Sequence, residues 1–113
     1  GAAKTIDRII DVFPPESQQQ IRVQLSTVLE AVVSQQLFAA KDGKGMVPAV
    51  EVMLATSAIR NMIREEKTHQ IPSMIETGSR FGMQSMVSSF EELVRRGLVD
   101  DSALYRKDYD LTR

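Results

Sequence analysis

Apolar and polar positions alternate with two different periods along this chain. Ile6, Ile9, Ile10 and Phe13 recur at i, i+3, i+4 and i+7, which predicts a first helix over residues 3–12. Pro14 and Pro15 stop it. Pro15, with no N–H to lose and φ already near the helical value, suits the first turn of a second helix. Its inward stripe is Ile21, Leu25, Val28, Leu29 and Val32, and its polar face carries Gln18, Gln19, Gln20, Arg22 and Gln24. That face is assigned to solvent or to a contact with protein outside the chain. From Val32 to Phe38 the period shortens to that of a strand. An Asp-Gly loop, Lys41 to Gly45, then leads into a second apolar run from Met46 to Ala55, so a β-hairpin is expected. The second strand puts Val50, Val52 and Leu54 on one face and Val47, Ala49, Glu51 and Met53 on the other. Both faces are largely apolar, so it calls for cover on both sides. A two-stranded hairpin alone is marginal in water. The pattern therefore points to a larger sheet upstream.

Helical spacing returns in Ala58, Ile59, Arg60, Asn61, Met62, Ile63, Arg64 and Glu65. Ile59, Met62 and Ile63 face inward, Arg60, Arg64 and Lys67 fall on the other side, and Thr56 or Ser57 can cap the start. Periodicity alone makes this an amphipathic helix with a solvated basic stripe. Lys67 to Gln70 is a joint. Pro72 opens a short helix carrying Ile71, Met74 and Ile75, which ends at Gly78 in the left-handed conformation. Gly82 precedes a longer helix striped by Met83, Met86, Val87, Phe90, Leu93 and Val94 and ended by Gly97. Asp100 or Asp101 can cap a final helix through Ala103, Leu104 and Tyr105, after which residues 107–113 fray. With no repeat, low-complexity tract or linker, residues 1–113 read as one unit. The fold class is α+β, mostly helical, with about six helices around a hairpin.

Composition narrows the chemistry. Fourteen Lys and Arg against fifteen Asp and Glu give a formal charge of −1, so any electrostatic function must come from a local patch, and nucleic acid is not an expected partner. The absence of cysteine excludes disulfides and thiolate metal sites. No apolar run approaches the roughly 18 residues of a membrane span, no signal peptide is visible, and the chain reads as cytosolic. Gly1 in place of Met reads as a cloning remnant on a piece of something longer. A phosphate-binding GxxxxGK[ST] loop does not occur. Gly43-Lys44-Gly45 lies between two strands and is explained as a hairpin turn. His69 is the sole histidine, too few ligands for a metal site, and no GxSxG nucleophile elbow is present. Met53, Met62, Met74, Met83 and Met86 sit at core spacings. Nothing converges as an active site, so the chain is not expected to hydrolyse ATP alone.

The octet Ala58 to Glu65 differs at one position, Met62 for leucine, from a signature in the C-terminal domain of the PilT-type motors, the ATPases that retract type IV pili. The stretch Ala3 to Pro14 resembles the segment after that family's histidine box. Gln20 to Leu25, Ser34 to Leu37, Gly82 to Gln84 and Glu92 to Gly97 resemble later segments in the same order. The resemblance implies a C-terminal piece of a RecA-like domain of the type II/IV secretion ATPase superfamily, with residues 2–55 ending the RecA-like core and residues 56–113 forming a helical region. It implies a hexameric parent that uses ATP and magnesium, partners in its own N-terminal and RecA-core segments and in the pilus basal machinery, and a place at the inner face of the inner membrane. The phosphate-binding, acidic and histidine boxes would precede this chain. Within the octet, Ile59, Met62 and Ile63 would anchor the helix while Arg60, Asn61 and Arg64 face another domain, subunit or the pilus machinery. Arg22 is a candidate for contact with a neighbouring subunit's nucleotide, against a simpler reading as a surface arginine. Pilus-extension and type II secretion ATPases are rivals within the superfamily, but they usually carry a four-cysteine zinc element and lack the octet. The other alternative is a non-catalytic helical interaction module.

Overall fold

The computed structural model describes residues 1–105, and the expected frayed segment 107–113 lies outside them. Helices α1 (Ala2–Asp11) and α2 (Pro15–Val28) lead into strands β1 (Ala31–Ala39) and β2 (Met46–Leu54). Helices α3 (Ser57–Arg64), α4 (Ile71–Thr77) and α5 (Met86–Arg95) follow. Short 3-10 turns stand at Thr68–Gln70, Ser79–Phe81 and Asp101–Tyr105. The last of these replaces the expected sixth α-helix. Asp100 Oδ1 accepts from the Ser102 N–H at 2.9 Å, as a cap should, but the turn it starts is 3-10.

The hairpin pairs antiparallel with Val33 opposite Val52 and Gln35 opposite Val50. Its two faces differ sharply. Val32, Gln36 and Phe38 share a face with Met53, Ala49 and Val47, and both hydrophobic clusters of the chain pack on that side. The larger gathers Ile6, Ile10, Met53, Ile59, Ile63, Ile71 and Ile75. The smaller packs Phe90 of α5 against Phe38, ring centroids 4.8 Å apart, with Ala49, Met86, Leu93 and Val99. On the opposite face Val33 is 66% and Leu37 46% exposed, so cover is complete on one face only. The far edge of β2 is partly closed, because Val52 and Gln84 exchange backbone hydrogen bonds of 2.8 and 3.0 Å and the Ser89 hydroxyl accepts from Val50 N–H at 2.9 Å.

Several expectations change. Val28 turns out to solvent, because α2 stops there and Leu29 is already extended. Arg22 leaves the polar face and is buried. Val87 is exposed, and α5 begins only at Met86, capped by the Ser85 hydroxyl, since Met83 and Gln84 are drawn into the bridge with β2. Gly78 is not left-handed, with φ −94°; the left-handed residue is Gly82, φ +92°. Gly78 is required by space instead. A Cβ there would lie 2.8 Å from the Met74 carbonyl oxygen and 3.1 Å from the Met83 sulfur.

Candidate functional site

The octet helix α3 is held from three directions. Its inward residues Ile59 and Ile63 are fully buried and Met62 is partly so, as the spacing required. At its start the Thr56 hydroxyl accepts from the Ile59 N–H at 3.4 Å. Just past its end the Thr68 hydroxyl, itself buried, donates to Asp7 of α1 at 2.8 Å. That last bond had no sequence signal, since it joins residues far apart in the chain through two ordinary polar side chains.

Arg60 does not project to solvent. Its guanidinium donates to the Ser26 and Thr27 carbonyl oxygens at 2.7 and 3.2 Å and lies 3.7 Å from the Glu30 carboxylate. These carbonyls belong to the last turn of α2, where they have no intrahelical donor and where the helix dipole favours a cation. Arg60 thus caps α2 from α3 and fixes both beside the start of β1. The rest of the octet's polar side is open. Asn61 is exposed and accepts from Arg64 at 3.3 Å, and Gln19 donates to the Arg64 carbonyl at 3.1 Å. Ala58 and Glu65 are exposed, with Glu65 3.7 Å from Lys67.

Arg22 is only 7% exposed and meets Glu66, just beyond α3, at 3.5 Å. It joins α2 to the end of the octet helix through one nitrogen, while its Nη1 is buried without a hydrogen-bond partner among the described residues. Glu66 has φ +60°, a left-handed conformation uncommon outside glycine, which turns the chain sharply into the following 3-10 turn.

Neither of the two sequence features weighed for phosphate or metal stands in a cluster of polar groups. Gly43-Lys44-Gly45 is the exposed tip of the hairpin, its local order supplied by Asp42 accepting from the Lys44 N–H at 2.8 Å, and β2 instead of a helix follows it. His69 is exposed, and no group of three or more metal-ligating side chains gathers among the described residues. A feature not singled out in the sequence is a groove of about 460 Å³ between the start of α3 and the end of α4, with Ala58, Met74 and Met83 in its lining and Arg80 and Phe81 at its rim.

The arrangement is α+β, five α-helices packed about a two-stranded antiparallel hairpin. No family model matches the chain. Its backbone superimposes on the crystal structure of the pilus retraction motor PilT with bound ADP, at a TM-score of 0.76 and 36% identity over 89% of this chain and 27% of that one. In sequence it is 48% identical over 107 residues to a twitching motility protein of Neisseria gonorrhoeae, covering 95% of this chain and 29% of that protein. It is 49% identical over 99 residues to the type IV pilus retraction ATPase PilT of Pseudomonas aeruginosa, covering 88% of this chain and 28% of that protein. In sequence and in fold it resembles a segment of the PilT-type retraction ATPases, spanning less than a third of their length.

Proposed function

We propose that the chain is the C-terminal portion of a hexameric, ATP-driven motor that retracts type IV pili and so powers twitching motility. What carries this reading is the octet Ala58 to Glu65, set in a chain nearly half identical to a twitching motility protein over almost all of its own length. Residues 2–55 end the RecA-like core and residues 56–113 form the helical region beyond it. ATP and magnesium are bound by the remainder of the motor, which works at the cytoplasmic face of the inner membrane against the pilus basal machinery.

Within the octet the labour divides. Ile59, Met62 and Ile63 anchor the helix, Arg60 ties it to α2, and Asn61 and Arg64 present the polar side to another domain, subunit or the pilus machinery. Arg22 serves the internal joint with Glu66, and contact with a neighbouring subunit's nucleotide is the alternative role for it.

The test exchanges the matching segment of Pseudomonas aeruginosa PilT for this chain, and then introduces Asn61→Ala with Arg64→Ala. The chimera is expected to hydrolyse ATP and support twitching, whereas the double variant keeps its hexamer and ATPase activity but loses twitching. A chimera that assembles and hydrolyses ATP yet never restores twitching would sink the proposal.

A further inference from the structure

The turn that ends the octet helix has a backbone made for glycine and carries glutamate instead. Glu66 N–H donates to the Ile63 carbonyl at 3.4 Å, and Lys67 N–H donates to the Met62 carbonyl at 2.7 Å. Bonds reaching back three and five residues form the closure that a helix ordinarily completes with a left-handed glycine. Glu66 holds that position at φ +60°, and among the described residues it is the only one besides glycine with a positive φ. Its Cβ is crowded there as a glycine would not be.

What glycine would lose is the carboxylate. Glu66 Oε1 lies 3.5 Å from Arg22 Nη2, where the arginine side chain is 8% exposed and the glutamate 72%. Arg22 Nη1 is buried with no hydrogen-bond partner among the described residues, so this cation is under-bonded even when paired. Without Glu66 it would be an uncompensated buried charge. The crowded turn brings the carboxylate to Arg22, and the ion pair offsets the crowding.

Both flanks of the turn are tied down separately. Upstream, Gln19 of α2 donates to the Arg64 carbonyl at 3.1 Å, and downstream the Thr68 hydroxyl donates to Asp7 at 2.8 Å. Residues 65–67 can therefore change conformation while both ties hold. Every part of this joint lies within the chain and is bonded to another part of it.

We infer that residues 65–67 form a two-state latch on Arg22. Closed, Glu66 is left-handed and holds the guanidinium. Open, Glu66 relaxes to negative φ, the two backbone bonds part, and Arg22 turns toward water. Relief of the crowding and rehydration of an under-bonded cation offset the bonds lost, so opening occurs while α3 stays folded. The octet helix can thus release α2 at its far end without releasing Arg60 from Ser26 and Thr27.

Amide hydrogen exchange of the full chain, read residue by residue, tests the latch. In the unaltered chain Lys67 N–H should be at least about tenfold less protected than Ile63 N–H of the same helix, despite its 2.7 Å bond. Arg22→Met and Glu66→Gln remove the same ion pair. Each should lower Lys67 protection by about threefold to tenfold, and the two together by no more than either alone. Glu66→Gly in the Arg22→Met chain should raise it again by about fivefold, because the backbone cost is gone. Val52 N–H, remote from the joint, should move by less than about twofold throughout. If Arg22→Met fails to fold, Glu66→Gly against Glu66→Gln carries the test, since both lack the carboxylate and only glycine lifts the crowding. Lys67 as protected as Ile63, additive losses from Arg22→Met and Glu66→Gln, glycine no better than glutamine, or shifts shared equally by Val52 would each overturn the inference.

Discussion

Removing Arg60 tests the central structural claim, that this member of the octet works as a clamp inside the chain. Its guanidinium makes two charged hydrogen bonds, to Ser26 and Thr27 carbonyl oxygens, and one long ion pair to Glu30. Charged hydrogen bonds contribute about 1.5–3 kcal/mol each in favourable sites. The 3.2 Å bond belongs at the low end or below it, because Thr27 is exposed and water can replace the lost donor there. The Glu30 side chain is 85% exposed, so its pairing adds between nothing and about 1 kcal/mol. Arg60→Ala should therefore cost about 2–4 kcal/mol, a large share of a small domain's stability. Arg60→Lys, a point charge without the fork, should recover about half of that. Arg64→Ala, which loses only a 3.3 Å contact to exposed Asn61, should stay within about 0.5 kcal/mol of the parent. Urea unfolding followed by far-ultraviolet circular dichroism separates the three. If Arg60→Ala and Arg64→Ala unfold at the same midpoint, the clamp is not a clamp.

Gly78→Ala should destabilise by about 1–3 kcal/mol in the same assay, as overpacking does. The backbone Met74 oxygen 2.8 Å from the new Cβ cannot swing aside as a side-chain tip could, and this outweighs the gain of about 0.4–1 kcal/mol from a less flexible unfolded chain. Acid should loosen the C-terminal elements first. The Arg95 side chain holds Glu92 below its ordinary value of 4.5, and the Ser102 N–H holds Asp100 below 3.8. Both carboxyls bind protons less readily folded than unfolded, so their contributions are intact above those ordinary values and fade as pH falls through the lowered ones. Protection factors across residues 86–103, the exchange rates taken relative to an unstructured chain at the same pH, should fall below about pH 4 in the parent, and Glu92→Gln with Asp100→Asn should remove that fall. An unchanged pH profile in that variant would refute the assignment.

Much of this architecture was legible because it rests on local period. The stripes of α3 and α4, the hairpin with its Asp-Gly loop, and the proline at the start of α2 each follow from spacing within a few residues, whereas in α1 only Ile6 and Ile10 of the expected stripe are buried and Ile9 and Phe13 face outward. What escaped is set by residues distant in sequence. Arg60 and Arg22 look like surface cations on any helical wheel, and only the end of α2 and the turn at Glu66 make them internal. The start of α5 moved because Gln84 closes an edge of β2, a demand made by a strand more than thirty residues earlier. The groove had a faint signal in the adjacent Arg80 and Phe81 between two glycines, but spacing could not say that Met74, Met83 and Ala58 would form its floor.

These long-range ties change how the octet is understood. A helix with a solvated basic stripe could lose any of its arginines and keep its place, and each such loss would then report directly on a partner. Here Arg60 binds the end of α2, Thr68 binds α1, and Arg22 reaches Glu66 from α2, so α3 is fastened at both ends to the two helices that precede the hairpin. Under the proposed function, a force on the side that carries Asn61 and Arg64 would pass into that whole group, because the Arg60 and Thr68 links are 2.7 and 2.8 Å long and the intervening core of Ile59, Ile63 and Ile71 is close-packed. Substitutions in the octet consequently fall into two kinds with different readouts: those at Ile59, Arg60 and Ile63 lower stability, and those at Asn61 and Arg64 leave the melt unchanged. Only the second kind can isolate what the octet does for a partner, and a motility defect from Arg60 alone carries no such meaning until the folded fraction has been measured.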